Sequence, residues 1–408
     1  MTEITNTPDL RFPEFNDKWQ RMNLSNIVTT IKGNDNQIDL PILTISAKYG
    51  WLTQKERFSQ VIAGNSLKRY TKVSRGDLSY NKGNSKIAKY GIVYKMNYDE
   101  ALVPNVYKSF RPHKGINSSF IEKYFHTKKL DRQLRKYISS TARMDGLLNI
   151  SDNDFYKVNI YIPNSFEQEK IGDFFNKLDQ QIELEEKKLE LLEQQKRGYM
   201  QKIFSQQLRF KDENGNDYPE WKKKKLDDVA NYRRGSFPQP YGNKEWYDEK
   251  NGEPFVQVVD VDKNMKLHDK TKQKISDLAK PKSVKGFKGD IVVTLQGSIG
   301  RVAILQYDAY IDRTLLLINS FKIKMNKNYF NYVLYLLFLR EKKRAPGGTI
   351  KTITKAVLSN FEIDIPTLEE QNKIGMFFNE IDNLIELQNN KINHLKQRKQ
   401  GLLQKMFV

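Results

Sequence analysis

The chain has 408 residues, of which 29% are charged and 12% aromatic, enough for two or three domains with cores of their own. The absence of cysteine excludes disulfides, a thiol nucleophile and a cysteine-ligated zinc, and His113, His126, His268 and His394 show no metal-ligand spacing. A net charge of +20, from 69 Lys and Arg against 49 Asp and Glu, favours a polyanionic partner, with nucleic acid ahead of an anionic membrane. A lysine-rich proteome would also raise the charge, so organisation has to carry the argument. No stretch approaches the roughly 18 apolar residues of a membrane span. Met1 to Lys18 lacks the basic-then-apolar pattern of an export signal, so a soluble, cytoplasmic protein with no membrane partner is expected.

In chain order, residues 1–165 predict a first mixed domain, and residues 166–208 a long helix. From Glu167 to about Gln206 there is no proline and there are two glycines. Forty helical residues would span about 60 Å. Residues 209–366 predict a second mixed domain. Its short β-branched runs, Phe255–Val259, Asp290–Thr294 and Val302–Leu305, read as strands. Asn331–Lys343 reads as a helix ended before Pro346-Gly347-Gly348. Residues 367–408 predict a second long helix. The fold class is therefore α/β: two similar mixed α+β domains separated by two long helices.

The chain is written twice. Gln168, Lys170, Ile171, Gly172, Phe174 and Phe175 recur as Gln371, Lys373, Ile374, Gly375, Phe377 and Phe378. Matches at the same offset of 203 continue through Asp179/Asp382, Lys196/Lys399, Gly198/Gly401 and Phe204/Phe407, giving at least seventeen identities. Ile162-Pro163 and Ile365-Pro366 precede the two helices at that offset, and Trp19, Leu24 and Gly33 match Trp221, Leu226 and Gly235 at 202. Leu10-Arg11-Phe12 matches Leu208-Arg209-Phe210, the tail of the first helix. The second helix stops at Val408 without such a tail. Met1 to Phe12 should therefore supply it in space, making the repeat circular.

A heptad runs through Phe175, Leu178, Ile182, Glu185, Leu189, Leu192, Lys196, Tyr199 and Ile203, and again through Phe378, Ile381, Ile385, Gln388, Ile392, Leu395, Lys399, Leu402 and Met406. So narrow a seam predicts a coiled coil, antiparallel because the repeat is circular. Setting Glu185 opposite Lys399 makes facing residue numbers sum to 584, so that every polar seam residue meets a polar one. About 26 paired residues at 1.5 Å each would separate the heads by roughly 40 Å, the length of about 10–13 base pairs of duplex.

These residues resemble the specificity subunits of type I restriction–modification systems, over essentially the whole chain. The Gln-x-Lys-Ile-Gly-x-Phe-Phe helix start after Ile-Pro carries the resemblance. So do the second-domain opening Trp221, Leu226, Val229, Arg233-Arg234-Gly235-Ser236, then Gly289-Asp290-Ile291 and Gly297-Ser298-Ile299-Gly300-Arg301. The first domain keeps Gly76-Asp77-Leu78 but lacks a clear Gly-Ser-Ile-Gly loop. The resemblance implies a non-catalytic subunit that reads a bipartite target in double-stranded DNA, one half per domain, with the helices as a ruler. It implies two modification subunits carrying an S-adenosylmethionine-dependent adenine methyltransferase. It also implies two restriction subunits that translocate and cleave DNA with ATP and magnesium.

The chain itself has no Asn/Asp-Pro-Pro-aromatic motif and no phosphate loop. Asp212…Glu220-Trp221-Lys222 and Glu341-x-Lys343 have the pattern of a metal nuclease, one that is common in so charged a chain. Gly235-Ser236 and Gly297-Ser298 have no histidine near them in sequence and read as turns. Polar residues beside glycine suit base edges and phosphates. In the second domain the candidates are Arg233, Arg234, Ser236, Gln296, Ser298, Arg301 and Lys351. In the first they are Lys32, Asn34, Lys82, Asn84, Lys86 and Lys89. A free-standing, two-headed DNA-binding protein is the alternative reading.

Overall fold

The computed structural model describes residues 6–58, 64–83, 87–138, 147–344 and 358–408. It divides into two compact units: residues 1–190 with 387–408, and residues 191–386. The division falls inside both long helices, Ser165–Phe204 and Leu368–Lys405, so each unit takes half of each helix.

In the first unit, Trp19 leads into strand Gln20–Asn23, which pairs antiparallel with Asn159–Ile162 just before the first long helix. Beside this pair is a four-stranded antiparallel sheet in the order Val28–Ile31, Lys108–Pro112, Leu78–Asn81, Ile92–Lys95. Two further antiparallel pairs, Leu43–Ser46 with Gly50–Thr53 and Thr71–Ser74 with Glu100–Val103, enclose a smaller core around Leu43, Ile45 and Val73. Helix Ser118–Phe125 is buried from Ser119 onward, and Asn117 caps it by accepting the Phe120 N–H at 3.0 Å.

The second unit repeats the plan. Strand Lys222–Lys225 pairs antiparallel with Glu362–Ile365, which sets Lys223 opposite Asp364 and Lys225 opposite Glu362. Opposite charges across a ladder support this otherwise self-repelling lysine run. The equivalent four-stranded sheet has the order Ala230–Arg234, Leu315–Phe321, Ile291–Thr294, Val302–Ile304. A second sheet, Gln273–Ile275, Glu253–Val256, Ala309–Ile311, Val284–Gly286, holds the one parallel pairing among its strands. The helix expected from Asn331 begins a turn earlier, at Lys327. Asn326 caps it by accepting the Tyr329 N–H at 2.9 Å, as Asn117 does in the first unit.

The repeated sequence builds the joint between domain and helix. Gln168 accepts the Asn117 N–H and donates to Pro163 O; Gln371 accepts the Asn326 N–H and donates to Pro366 O. Gly172 and Gly375 let the long helix approach those caps. A Cβ on Gly172 would lie 2.9 Å from Asn117 Oδ1, and one on Gly375 2.5 Å from Asn326 Oδ1. Glu167 and Glu370, both fully buried, receive Arg11 and Arg209 through two hydrogen bonds each.

Arg11 precedes the first domain and Arg209 follows the first long helix, as the circular reading requires. The Leu10 N–H donates to Lys405 O at 2.9 Å, and the Leu208 N–H to Lys202 O at 3.1 Å. Phe407 packs on Trp19 and Phe175, and Phe204 on Trp221 and Phe378. The N-terminal segment therefore completes the second helix.

Within each unit the helix segments run antiparallel, but not in the 584 register. Glu185 pairs with Lys391, Asp179 with Lys399, Lys196 with Asp382 and Glu186 with Lys396, so partner numbers sum to 576–582 and Lys399 meets Asp179 rather than Glu185. Polar seam residues need not face straight across to find polar partners. Long side chains instead lean to neighbouring positions. Gln388 Nε2 donates to both the backbone and the carboxylate of Glu185, so Glu185 has partners without Lys399. Phe175 and Phe378 lie buried in the cores of their units. The expected seam residues are buried or half-buried except Tyr199, which is 39% exposed and stacks edge-on against Phe377.

Candidate nucleic-acid interface

In the second unit, Arg233 and Arg234 are exposed at the end of Ala230–Arg234, an outer strand of the sheet. The chain then turns at Gly235, where a Cβ would lie 2.2 Å from Asp312 O and 2.3 Å from Ile311 O, so glycine is required. The Ser236 N–H donates to Ile311 O and its hydroxyl to Lys282 O, which makes Ser236 a turn brace. The loop from Gln296 to Arg301 joins Ile291–Thr294 to Val302–Ile304. Thr294 closes it: its hydroxyl accepts the Arg301 N–H at 2.9 Å, and its carbonyl accepts the Gly300 N–H. Gln296 is exposed and Ser298 half-buried on this loop. Arg301 is half-buried, and one guanidinium N–H goes to Val261 O at 2.9 Å, tying the loop to the segment that follows strand Glu253–Val256.

In the first unit, Lys32 follows strand Val28–Ile31 and Lys82 follows strand Leu78–Asn81, and both line one cavity. Lys32 is exposed, and its Nζ lies 3.2 Å from Asp152 Oδ2. Lys89 is exposed, with its ammonium 5.8 Å from the centre of the Tyr90 ring. Asn34 corrects the sequence expectation. It is buried, its Nδ2 donates to Leu67 O, and its Oδ1 accepts the Asn36 N–H, so its amide holds its own loop together rather than facing a ligand. Asn84, Lys86 and Lys351 lie outside the described residues.

Arg69 and Lys108 line the same cavity as Lys32 and Lys82, and sequence reasoning missed both. Neither stands beside a glycine-rich turn, and strand pairing alone brings Lys108 next to the Lys32 strand. Lys108 donates to Asp152 Oδ1 at 2.5 Å, and this bond, ahead of the weaker pull of Lys32, holds the Asp152 carboxyl below its ordinary pKa. Arg111, also missed, makes a two-pronged bond to Asp77 at 2.7 and 2.9 Å. Asp77 also accepts the Ser74 N–H, bracing the Gly76-Asp77 turn. Burial pushes the equivalent Asp290 upward, while it accepts the Phe287 N–H.

Asp212, the start of the nuclease-like pattern, accepts the N–H groups of Asn214 and Asn216 within its own turn. Among the described residues no group of three or more His, Cys, Asp or Glu side chains could hold a metal ion. Among them, too, no helix is long and apolar enough to cross a membrane. What the exposed groups offer is hydrogen-bond donation and positive charge from loops on a braced sheet, which suits recognition rather than bond chemistry.

Comparison with known proteins agrees. The chain is 26% identical over 412 aligned residues to the MjaX type I restriction enzyme specificity subunit of Methanocaldococcus jannaschii, covering 96% of this chain and 93% of that one. It is 26% identical over 327 residues to the MjaVIII specificity subunit of the same organism, covering 73% and 75%. Its fold is similar to that of the type I restriction–modification S subunit from M. genitalium, with a TM-score of 0.60 and 14% identity over 98% and 99% of the two chains. It is also similar to a chain from a type I system solved to explain complex assembly and conformational transition, with a TM-score of 0.57 and 18% identity over 95% and 97%. The type I restriction–modification DNA specificity domain matches twice, over residues 16–194 and 218–397, and the chain belongs to that family of non-catalytic DNA-recognition subunits.

Proposed function

We propose that this chain reads a two-part target in double-stranded DNA, one part with each head, and directs two modification and two restriction subunits to it. The chemistry that needs S-adenosylmethionine, ATP and magnesium falls to those subunits. The length of the paired helices sets the unread spacer between the two parts. One observation carries this reading: the same sheet order and helix joint occur twice, while the loops on them differ. Lys32-Gly33-Asn34 stands where the second unit has Arg234-Gly235-Ser236. A shared frame with unlike loops is what two readers of unlike sequences need.

The test is to sequence the methylated DNA of cells carrying this chain and its partner subunits, before and after residues 11–165 are exchanged for another recognition domain. The exchange should rewrite one half of the methylated motif and leave the other half and the spacer unchanged. A chain that binds duplex DNA, associates with no methyltransferase and leaves no methylated motif would instead be a free-standing, two-headed DNA-binding protein.

A further inference from the structure

The cavity of the first unit has a volume of about 360 Å³. Lys32, Arg69, Lys82 and Lys108 supply four cationic side chains to its lining, and Asp152 supplies the one carboxylate. The cations come from separate strands and loops, so the convergence is a product of the fold. Lys108 is the anchor. Its side chain is 8% exposed, and an ammonium so placed requires an anion beside it. Asp152 provides that anion through Oδ1 at 2.5 Å, and its Oδ2 reaches the exposed Lys32 at 3.2 Å. Asp152 is itself 46% exposed, so the anion bridging the two lysines sits where an incoming ligand can reach it. Two oxygens on one centre, held between two ammonium groups, is also how the non-bridging oxygens of a phosphate diester would be held.

We propose that this cavity is a backbone-phosphate subsite of the first head, and that Asp152 occupies the phosphate's place while the protein is free. The inference rests on the DNA-reading function proposed above and adds a built-in competitor to it. Asp152 keeps Lys108 and Lys32 oriented without DNA, and its negative charge opposes weak, sequence-independent attachment. A backbone phosphate of any duplex can displace it at that cost, and correct base contacts nearby favour the exchange. The subsite itself carries no sequence information, since phosphate contacts position the protein and base contacts specify the target.

The experiment uses the full chain and a mixed-sequence duplex of about 30 base pairs, with affinity followed by fluorescence anisotropy from about 50 to 200 mM KCl. Asp152→Asn keeps the shape and removes the charge. It should bind the duplex about fivefold more tightly or better at low salt, the scale of one screened charge contact. Lys32→Ala, at a side chain 75% exposed and therefore harmless to folding, should flatten the dependence of log affinity on log salt by about 0.9. Equal or weaker binding by a folded Asp152→Asn variant would overturn the proposal. If Asp152→Asn fails to fold because Lys108 loses its counter-ion, Lys32→Ala decides alone, and an unchanged salt slope overturns the proposal. A parent chain that bound no duplex at any salt would overturn the DNA-reading function as well, which separates the two failures.

Discussion

Replacing Arg11 with alanine removes the cation that the N-terminal segment contributes to the start of the first long helix. Glu167 is fully buried and takes two hydrogen bonds of 2.7 Å from the Arg11 guanidinium, which is itself only 13% exposed. Removing one partner of a buried, hydrogen-bonded pair costs about 3–5 kcal/mol, because the other charge is left without compensation. Glu167 lies in the first turn of a helix, where the aligned peptide dipoles return up to about 1 kcal/mol. The expected loss is therefore about 2–4 kcal/mol, confined to the first unit. Adding Glu167→Gln should recover part of it, since the orphaned charge goes too. Urea unfolding gives the magnitude. Amide hydrogen exchange gives the place: protection should fall over residues 165–176 and stay unchanged over 368–379. Arg209→Ala should do the reverse to a lesser extent, because Glu370 loses two hydrogen bonds from Arg209 but keeps one from Trp221 Nε1. A loss under about 1 kcal/mol for Arg11→Ala, with exchange unaltered, would make the first residues a loose tail and remove the energetic basis of the circular repeat.

Stability of the first unit should fall as pH drops from about 6.5 towards 4. Burial holds the His126 ring at a pKa of about 4 against an ordinary 6.5, with Nε2–H donating to Val93 O at 2.8 Å. The unfolded chain therefore binds this proton first. The stabilisation is complete above 6.5 and is lost as pH falls through about 4, a swing of about 3 kcal/mol. His126→Gln should flatten that part of the pH–stability profile measured by thermal unfolding. Two repeated helix glycines should respond with opposite signs. Gly375→Ala drives a Cβ to 2.5 Å from the capping Asn326 Oδ1 and should cost about 1–3 kcal/mol. Gly198→Ala, with nothing within 4 Å, should gain about 0.5–1 kcal/mol.

The duplicated plan and its circular closure could be read from the chain because the joint residues do the same geometric work twice and are chemically constrained to do it. A buried carboxylate needs an arginine, and a close helix crossing needs glycine. The register could not be read in this way, since a long polar side chain at a seam position has several partners within reach. The binding loops were legible as positions beside turns but not as roles. Asn34 and Lys32 are two residues apart, yet one is buried in its own turn and the other opens onto a cavity with Lys108, which only sheet pairing brings near.

The helix aspartates show where this constraint ends. Asp179 binds Lys123 and Lys399, and its repeat partner Asp382 binds Tyr332 and Lys196. The lysine from the partner helix is kept in both units, whereas the residue from the domain is an ammonium in one and a phenol in the other. In the first unit the Asp179 carboxyl, despite burial that works against it, is held below its ordinary pKa by Lys123 and Lys399. Tyr332 can donate a hydrogen bond to Asp382 but brings no charge, and burial beside that carboxylate drives its own pKa upward. What the joint demands from the domain side is thus a donor, not a particular residue. Moving outward from the helix pair, tolerance rises from identity, to chemical class, to the loops at the sheet edge, where only position is held in common. A recognition head needs that gradient if its loops are to change without loosening the frame that carries them.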